Sequence, residues 1–162
     1  MDAAICTILI GTGATAVMDA WMLVRTRVLG VPAQSYGLVG RWLAGMARGQ
    51  FRHERIAASP AVRGELLIGW TAHYLTGITF AALLLAIRGL DWARYPTLAP
   101  ALLVGIGSVA APFLLMQPGM GAGIAASRAP RPGAARLQSL VTHTVFGFGL
   151  YAAGWLVALS AG

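Results

Sequence analysis

The sequence predicts an all-α integral membrane protein built as a bundle of four transmembrane helices. Composition and the spacing of apolar runs carry that expectation. Of 162 residues, 57% are hydrophobic and 10% charged, whereas soluble domains run at about 25% charged. Mean hydropathy is +0.71, which leaves too little polar surface to coat a soluble globule of 16.9 kDa. Four stretches, about 3–24, 66–87, 97–116 and 137–159, each supply the roughly 20 mostly apolar residues that a helix needs to cross hydrocarbon. These figures exclude a soluble enzyme, a disordered tail and a nucleic-acid-binding domain, despite a net charge of +7. The chain reads as a single membrane domain over 1–162, with the lipid bilayer as its first partner.

The first span reads as a retained helix. Asp2 is the only charge before Asp19, and the basic residues Arg25 and Arg27 follow the apolar run instead of preceding it, the reverse of a cleaved signal peptide. Loop 25–65 comes next and carries seven arginines. Inside it Leu38, Val39, Trp42, Leu43 and Met46 recur at helical spacing, with Arg41 and Arg48 on other faces. That pattern predicts a short amphipathic helix at the membrane surface. Gly37, Gly40, Gly45 and Gly49 count against a helix, and the alternative is a loop packed over the bundle. The second span leads to loop 88–96, which holds Arg88 and Arg94, partly offset by Asp91. In the third span Pro112 predicts a kink, and Pro118 with Gly119 predicts the helix end. Loop 117–136 adds Arg128, Arg131 and Arg136 before the fourth span.

Loops one and three fall on the same side, so ten arginines face two. The positive-inside rule then puts both loops in the cytoplasm and both termini outside. All twelve basic residues are arginine, a coding bias toward GC that hints at origin and not at chemistry. The single cysteine, Cys6, has no internal disulfide partner.

A two-plus-two internal repeat is also visible. His73 and Gly77 in the second span match His143 and Gly147 in the fourth at an offset of 70, and Gly11/Gly13 match Gly105/Gly107 at an offset of 94. The longer first loop absorbs the difference. A parallel repeat of this kind occurs in transporters. Coincidence among apolar residues is the alternative.

Four motifs resemble those of a bacterial family of small integral membrane proteins, domain of unknown function 2938. They are Gly-Ala-Thr-Ala-Val-Met-Asp (13–19), Tyr-Gly-Leu-Val-Gly-Arg-Trp (36–42), Gly-Trp-Thr-Ala-His-Tyr (69–74) and Pro-Phe-Leu-Leu-Met-Gln-Pro-Gly-Met-Gly (112–121). The last is the most specific. The resemblance covers nearly the whole chain and implies a four-span inner-membrane protein, with no activity to carry over.

Ionisable groups inside a bilayer are costly and are candidates for function. Asp19, His73 and His143 stand out, because Asp19 lies five residues from the inner end of its span and the histidines lie seven and six residues into theirs. At 1.5 Å rise per residue, all three sit ~8–10 Å below one membrane face. Glu65 lies at the membrane edge on the helical face of His73, and Gln117 stands near the same layer.

Three occupants suit that layer. Two imidazoles can ligate haem iron axially. His73, His143 and Asp19 can hold a divalent transition metal. The same residues can also relay protons or bind a transported ion. The bland alternative is an Asp19–histidine pair that only locks the bundle. Met116 and Met120 are soft donors for Cu(I), or packing residues. The small residues of the spans favour close helix contact, and Trp21, Trp92, Tyr95 and Trp155 read as interface anchors or packing.

Enzyme readings lack motifs. Gly107-Ser108 with His143 loosely resembles an intramembrane serine dyad without the surrounding sequence. His53-Glu54 is not followed by the second histidine of a zinc helix, the paired boxes of a di-iron oxidase are missing, and the glycines after Gln117 precede no phosphate-loop lysine. The leading reading is therefore a non-enzymatic inner-membrane protein with a buried Asp/His site for a metal, a haem or a transported ion. The alternatives are an accessory or scaffold subunit of a larger membrane complex, and a small transporter acting as a homodimer. No nucleic-acid partner is expected.

Overall fold

The computed structural model describes residues 2–160, so the ends of the expected 1–162 domain lie outside the described residues. The elements in order are α1 (Ala3–Leu29), α2 (Tyr36–Met46), α3 (Glu65–Arg88), α4 (Asp91–Arg94), α5 (Leu98–Gly107), a π-helical turn Pro112–Met116, α6 (Gln117–Gly119) and α7 (Pro132–Ser160). Short 3-10 turns occupy Ile56–Ala58 and Ile124–Ala126. Among the described residues four helices are long and apolar enough to cross a membrane: α1, α3, the run Leu98–Gly119, and α7. The all-α membrane fold is therefore as the sequence predicts.

Local chemistry explains the helix ends. Asp2 caps α1 by accepting the Ala4 N–H at 3.1 Å, satisfying a donor that has no partner inside the helix. Gly30 closes α1 in the left-handed region at φ 63°, and its N–H donates to the Arg25 carbonyl. The helix runs past its apolar window to Leu29, carrying Arg25 and Arg27 with it. Long arginine stems lie along apolar surface while the heads reach out, and cations suit a helix C-terminus. At the other end of the chain, α7 starts at Pro132, a residue pre-set for the first helical position. Arg136 in its first turns donates from Nε to the Ala125 carbonyl at 2.8 Å. In the third span, the π-helical turn begins at Pro112, where the missing N–H breaks the regular ladder.

The chain divides into two compact units. Among the described residues one comprises 2–33, 74–108 and 140–160. Ile10, Leu84 and Leu150 are fully buried at its centre, with Ala14, Ala81 and Phe146 around them. Trp92 is 4% exposed and belongs to this core; its indole N–H donates to the Thr97 carbonyl at 3.2 Å, so it packs and does not anchor at an interface. Glycine permits the helix contacts. A Cβ on Gly11 would overlap the Ile78 backbone beside Gly77, and one on Gly105 would overlap Gly147. The two crossings use the positions that the repeat pairs, Gly11 with Gly105 and Gly77 with Gly147. The repeat read from the sequence thus has a packing counterpart.

The second unit comprises Gln34–His73 and Val109–Ser139. Helix α2 forms where the amphipathic spacing predicts, with Tyr36 and Trp42 buried. Gly40, one of the glycines that counted against it, is a contact point: a Cβ there would strike the Glu65 backbone, and one on Gly69 of α3 would strike the Tyr36 carbonyl. Trp42 donates from its indole N–H to the Phe51 carbonyl at 2.8 Å. The His53 N–H donates to Gly119 at 2.8 Å and the Ile56 N–H to Met120 at 3.1 Å, tying loop one to the segment after the third span.

Candidate functional site

Asp19 projects from α1 in the first unit, and the Tyr74 hydroxyl of α3 donates to its Oδ2 at 3.0 Å. A carboxylate removed from water needs such a donor. The sequence reading missed Tyr74, although it closes the 69–74 motif beside His73.

His143, on α7 in the same unit, meets Ser108 just after α5, with Nδ1 and Oγ 2.7 Å apart. Ser108 is 2% exposed, and its Oγ also lies 2.6 Å from the Gly105 carbonyl. A carbonyl can only accept, so the single hydroxyl proton goes to Gly105. His143 then donates from a protonated Nδ1. This arrangement opposes a serine nucleophile, because the hydroxyl proton points at its own helix and not at the base.

In the second unit, His73 Nε2 lies 2.9 Å from the Tyr36 hydroxyl. The rings are tilted with centroids 4.4 Å apart, and Trp70 packs on Tyr36 at 4.3 Å. The imidazole therefore sits in an aromatic cluster at the meeting of α2 and α3. Tyr36 opens the 36–42 motif, and that was the only signal available for it.

Glu65 is fully engaged with loop one. Arg41 donates from Nε to Oε2 and from Nη2 to Oε1, both at 2.8 Å, and the Val62 N–H donates to Oε2 at 2.9 Å. Arg41 Nη1 continues to the Ser59 carbonyl at 2.7 Å. The hydrogen bond to Glu65 holds the Arg41 guanidinium still further above its ordinary pKa. Gln117 buries its Oε1 with no hydrogen-bond partner among the described residues.

Of the residues expected at one depth, Asp19 and His143 fall in the first unit, and His73, Glu65 and Gln117 in the second. Among the described residues no three His, Cys, Asp or Glu side chains are gathered to hold a metal ion. Each of the three embedded ionisable residues instead has a hydroxyl at hydrogen-bond distance.

No curated protein and no solved structure is significantly similar to the chain. One family model, described as a protein of unknown function (DUF2938), matches residues 8–157. The match spans nearly the whole chain, which belongs to that family.

Proposed function

We propose that this membrane protein is non-enzymatic and uses its embedded carboxylate and imidazoles to handle a proton or small cation. One observation carries the reading: Asp19, His73 and His143 each pair with a hydroxyl, from Tyr74, Tyr36 and Ser108, at 3.0, 2.9 and 2.7 Å. Groups that both give and take protons, hydrogen-bonded inside the apolar spans, are the parts from which membrane proton relays are made. Ten arginines against two favour loops 25–65 and 117–136 on the cytoplasmic side. Four spans leave little room for alternating access, so transport is assigned to a homodimer.

The test is the full chain in lipid vesicles loaded with a pH-sensitive dye, driven by a potassium diffusion potential. Proton entry above that of empty vesicles is expected, falling at least about tenfold in Asp19→Asn and in His143→Gln. Wild-type vesicles indistinguishable from empty ones for protons, sodium and potassium would overturn the reading. So would a haem absorption band, or one metal ion per chain in the purified protein. His73, His143 and Asp19 would then be the ligands to replace first. Copurification with a larger complex, without ion movement, would turn the assignment to an accessory subunit.

A further inference from the structure

A cleft of about 430 Å³ opens in the second unit, between loop one and the segment that follows the third span. Arg52 and Glu54 line it from loop one, and Ser127 and Arg128 from the other side. The backbone bonds from His53 to Gly119 and from Ile56 to Met120 hold the two segments together. His53 also lines the cleft, with its Nδ1 at 3.0 Å from the Ser59 hydroxyl. A Cβ on Gly121 would strike the Glu54 carbonyl, and one on Gly123 would strike the Ser127 hydroxyl. Ala125 and Ala126 take left-handed backbone angles, φ 47° and 56°, a conformation that side chains disfavour. Nothing bulkier than glycine fits this approach at 121 and 123, and just after the two left-handed alanines Ser127 and Arg128 line the same cleft as Arg52.

We infer that this cleft binds the phosphodiester headgroup of a membrane lipid. Among the described residues neither Arg52 nor Arg128 forms an ion pair, so two guanidinium forks are available to phosphate oxygens. The Ser127 hydroxyl adds a neutral donor. Two arginines and Glu54 sum to a single positive charge, which the one negative charge of a phosphodiester neutralises. A phosphomonoester dianion would leave excess negative charge beside Glu54. Position selects a lipid over a soluble phosphate: the cleft adjoins Gly119, where the membrane-length run Leu98–Gly119 ends. Ile124 on its rim is 61% exposed, an apolar contact for the glycerol and acyl region. Basic pockets at the ends of membrane helices take lipid headgroups in this way.

The experiment titrates the full-length protein in detergent micelles with dioleoyl phosphatidylglycerol and counts bound lipid by native mass spectrometry. One lipid per chain is expected, with the dissociation constant rising about tenfold or more in the double variant Arg52→Gln/Arg128→Gln, as the loss of charge-assisted hydrogen bonds implies. Arg63→Gln removes a charge from the same loop but lies outside the cleft, and should change affinity less than about twofold. Glu54→Gln should tighten binding of phosphatidic acid, a monoester, more than that of phosphatidylglycerol. This arm reads the site even if the arginine variant fails to fold. Equal losses in Arg63→Gln and the double variant would show diffuse attraction and overturn the inference. Inorganic phosphate or glycerol 3-phosphate competing as well as the lipid would also overturn it, in favour of a soluble ligand.

Discussion

Arg41 grips Glu65 with two parallel hydrogen bonds, Nε to Oε2 and Nη2 to Oε1, each 2.8 Å long. The side chains are 12% and 21% exposed, and the pair fastens α2 and its loop to the first turn of α3. The planar fork makes both bonds at once, a geometry that a lysine ammonium lacks. Arg41→Lys is therefore expected to lower the thermal midpoint nearly as far as Arg41→Ala. Glu65→Gln combined with Arg41→Ala should be little worse than Arg41→Ala alone, because the two residues share one interaction. Circular dichroism melts in detergent of the wild type, these three variants and Glu65→Gln alone check this, and losses in the double variant equal to the sum of the two single ones would count against the pairing.

The close crossing of Gly105 and Gly147 predicts a sharp contrast between neighbouring glycines. Gly105→Ala forces α5 and α7 apart, and overpacking of this kind costs about 1–3 kcal/mol. A Cβ on Gly107 would meet nothing within 4 Å, so Gly107→Ala gains helix propensity of about 0.5–1 kcal/mol. Unfolding in mixed detergent micelles measures both. Equal effects at 105 and 107 would mean that the crossing does not contribute to stability.

The fold was legible because apolar length alone marks a membrane helix, and composition leaves no soluble alternative. Helix ends were less so: Arg25, Arg27 and Arg136 look like loop residues, yet an arginine can extend a helix beyond the hydrocarbon by reaching to its edge. Asp19, His73 and His143 were visible as charges in apolar surroundings. Two of their partners, Tyr74 and Tyr36, were not. Spans that are apolar on all sides carry little periodic signal, so no pattern tells which face of α3 turns Tyr74 to Asp19. Ser108 is the exception: the sequence already sets it beside His143 as a loose dyad, and the two lie 2.7 Å apart, with the serine proton turned to Gly105. Gly40 of α2 misled for a related reason, since propensity counts against it while packing on the Glu65 backbone requires it.

The Ser108–His143 contact predicts a tautomer. With the serine proton committed to Gly105, a neutral His143 carries its proton on Nδ1. Nitrogen-15 spectra of labelled protein at a pH where the ring is neutral should show that form. Ser108→Ala removes the acceptor of this partly buried N–H, at a cost of about 0.5–1.5 kcal/mol. Ser108→Thr keeps the hydroxyl and should retain the tautomer. A proton found on Nε2 in the wild-type protein would reverse the donor and acceptor and reopen the serine to activation.

Sidedness rests on arginine and can be reversed by moving it. Seven arginines in residues 25–65 and three in 117–136 oppose Arg88 and Arg94. All ten lie in loops short enough, or close enough to a span, for the charge to act on orientation. Arg25, Arg27 and Arg136 ride on the ends of α1 and α7, which brings them nearer to the membrane surface and strengthens their effect. Alkaline phosphatase fused after the last residue is therefore expected to be active outside the cell membrane, and a fluorescent protein fused there to remain dark. A phosphatase fused within loop 88–96 should also be active, and one fused within 117–136 inactive. Exchanging the arginines of 117–136 for glutamine while adding four to loop 88–96 should lower the C-terminal phosphatase signal as part of the population inverts. The opposite pattern in the wild-type fusions would place the arginine-rich loops outside and remove the charge argument for orientation.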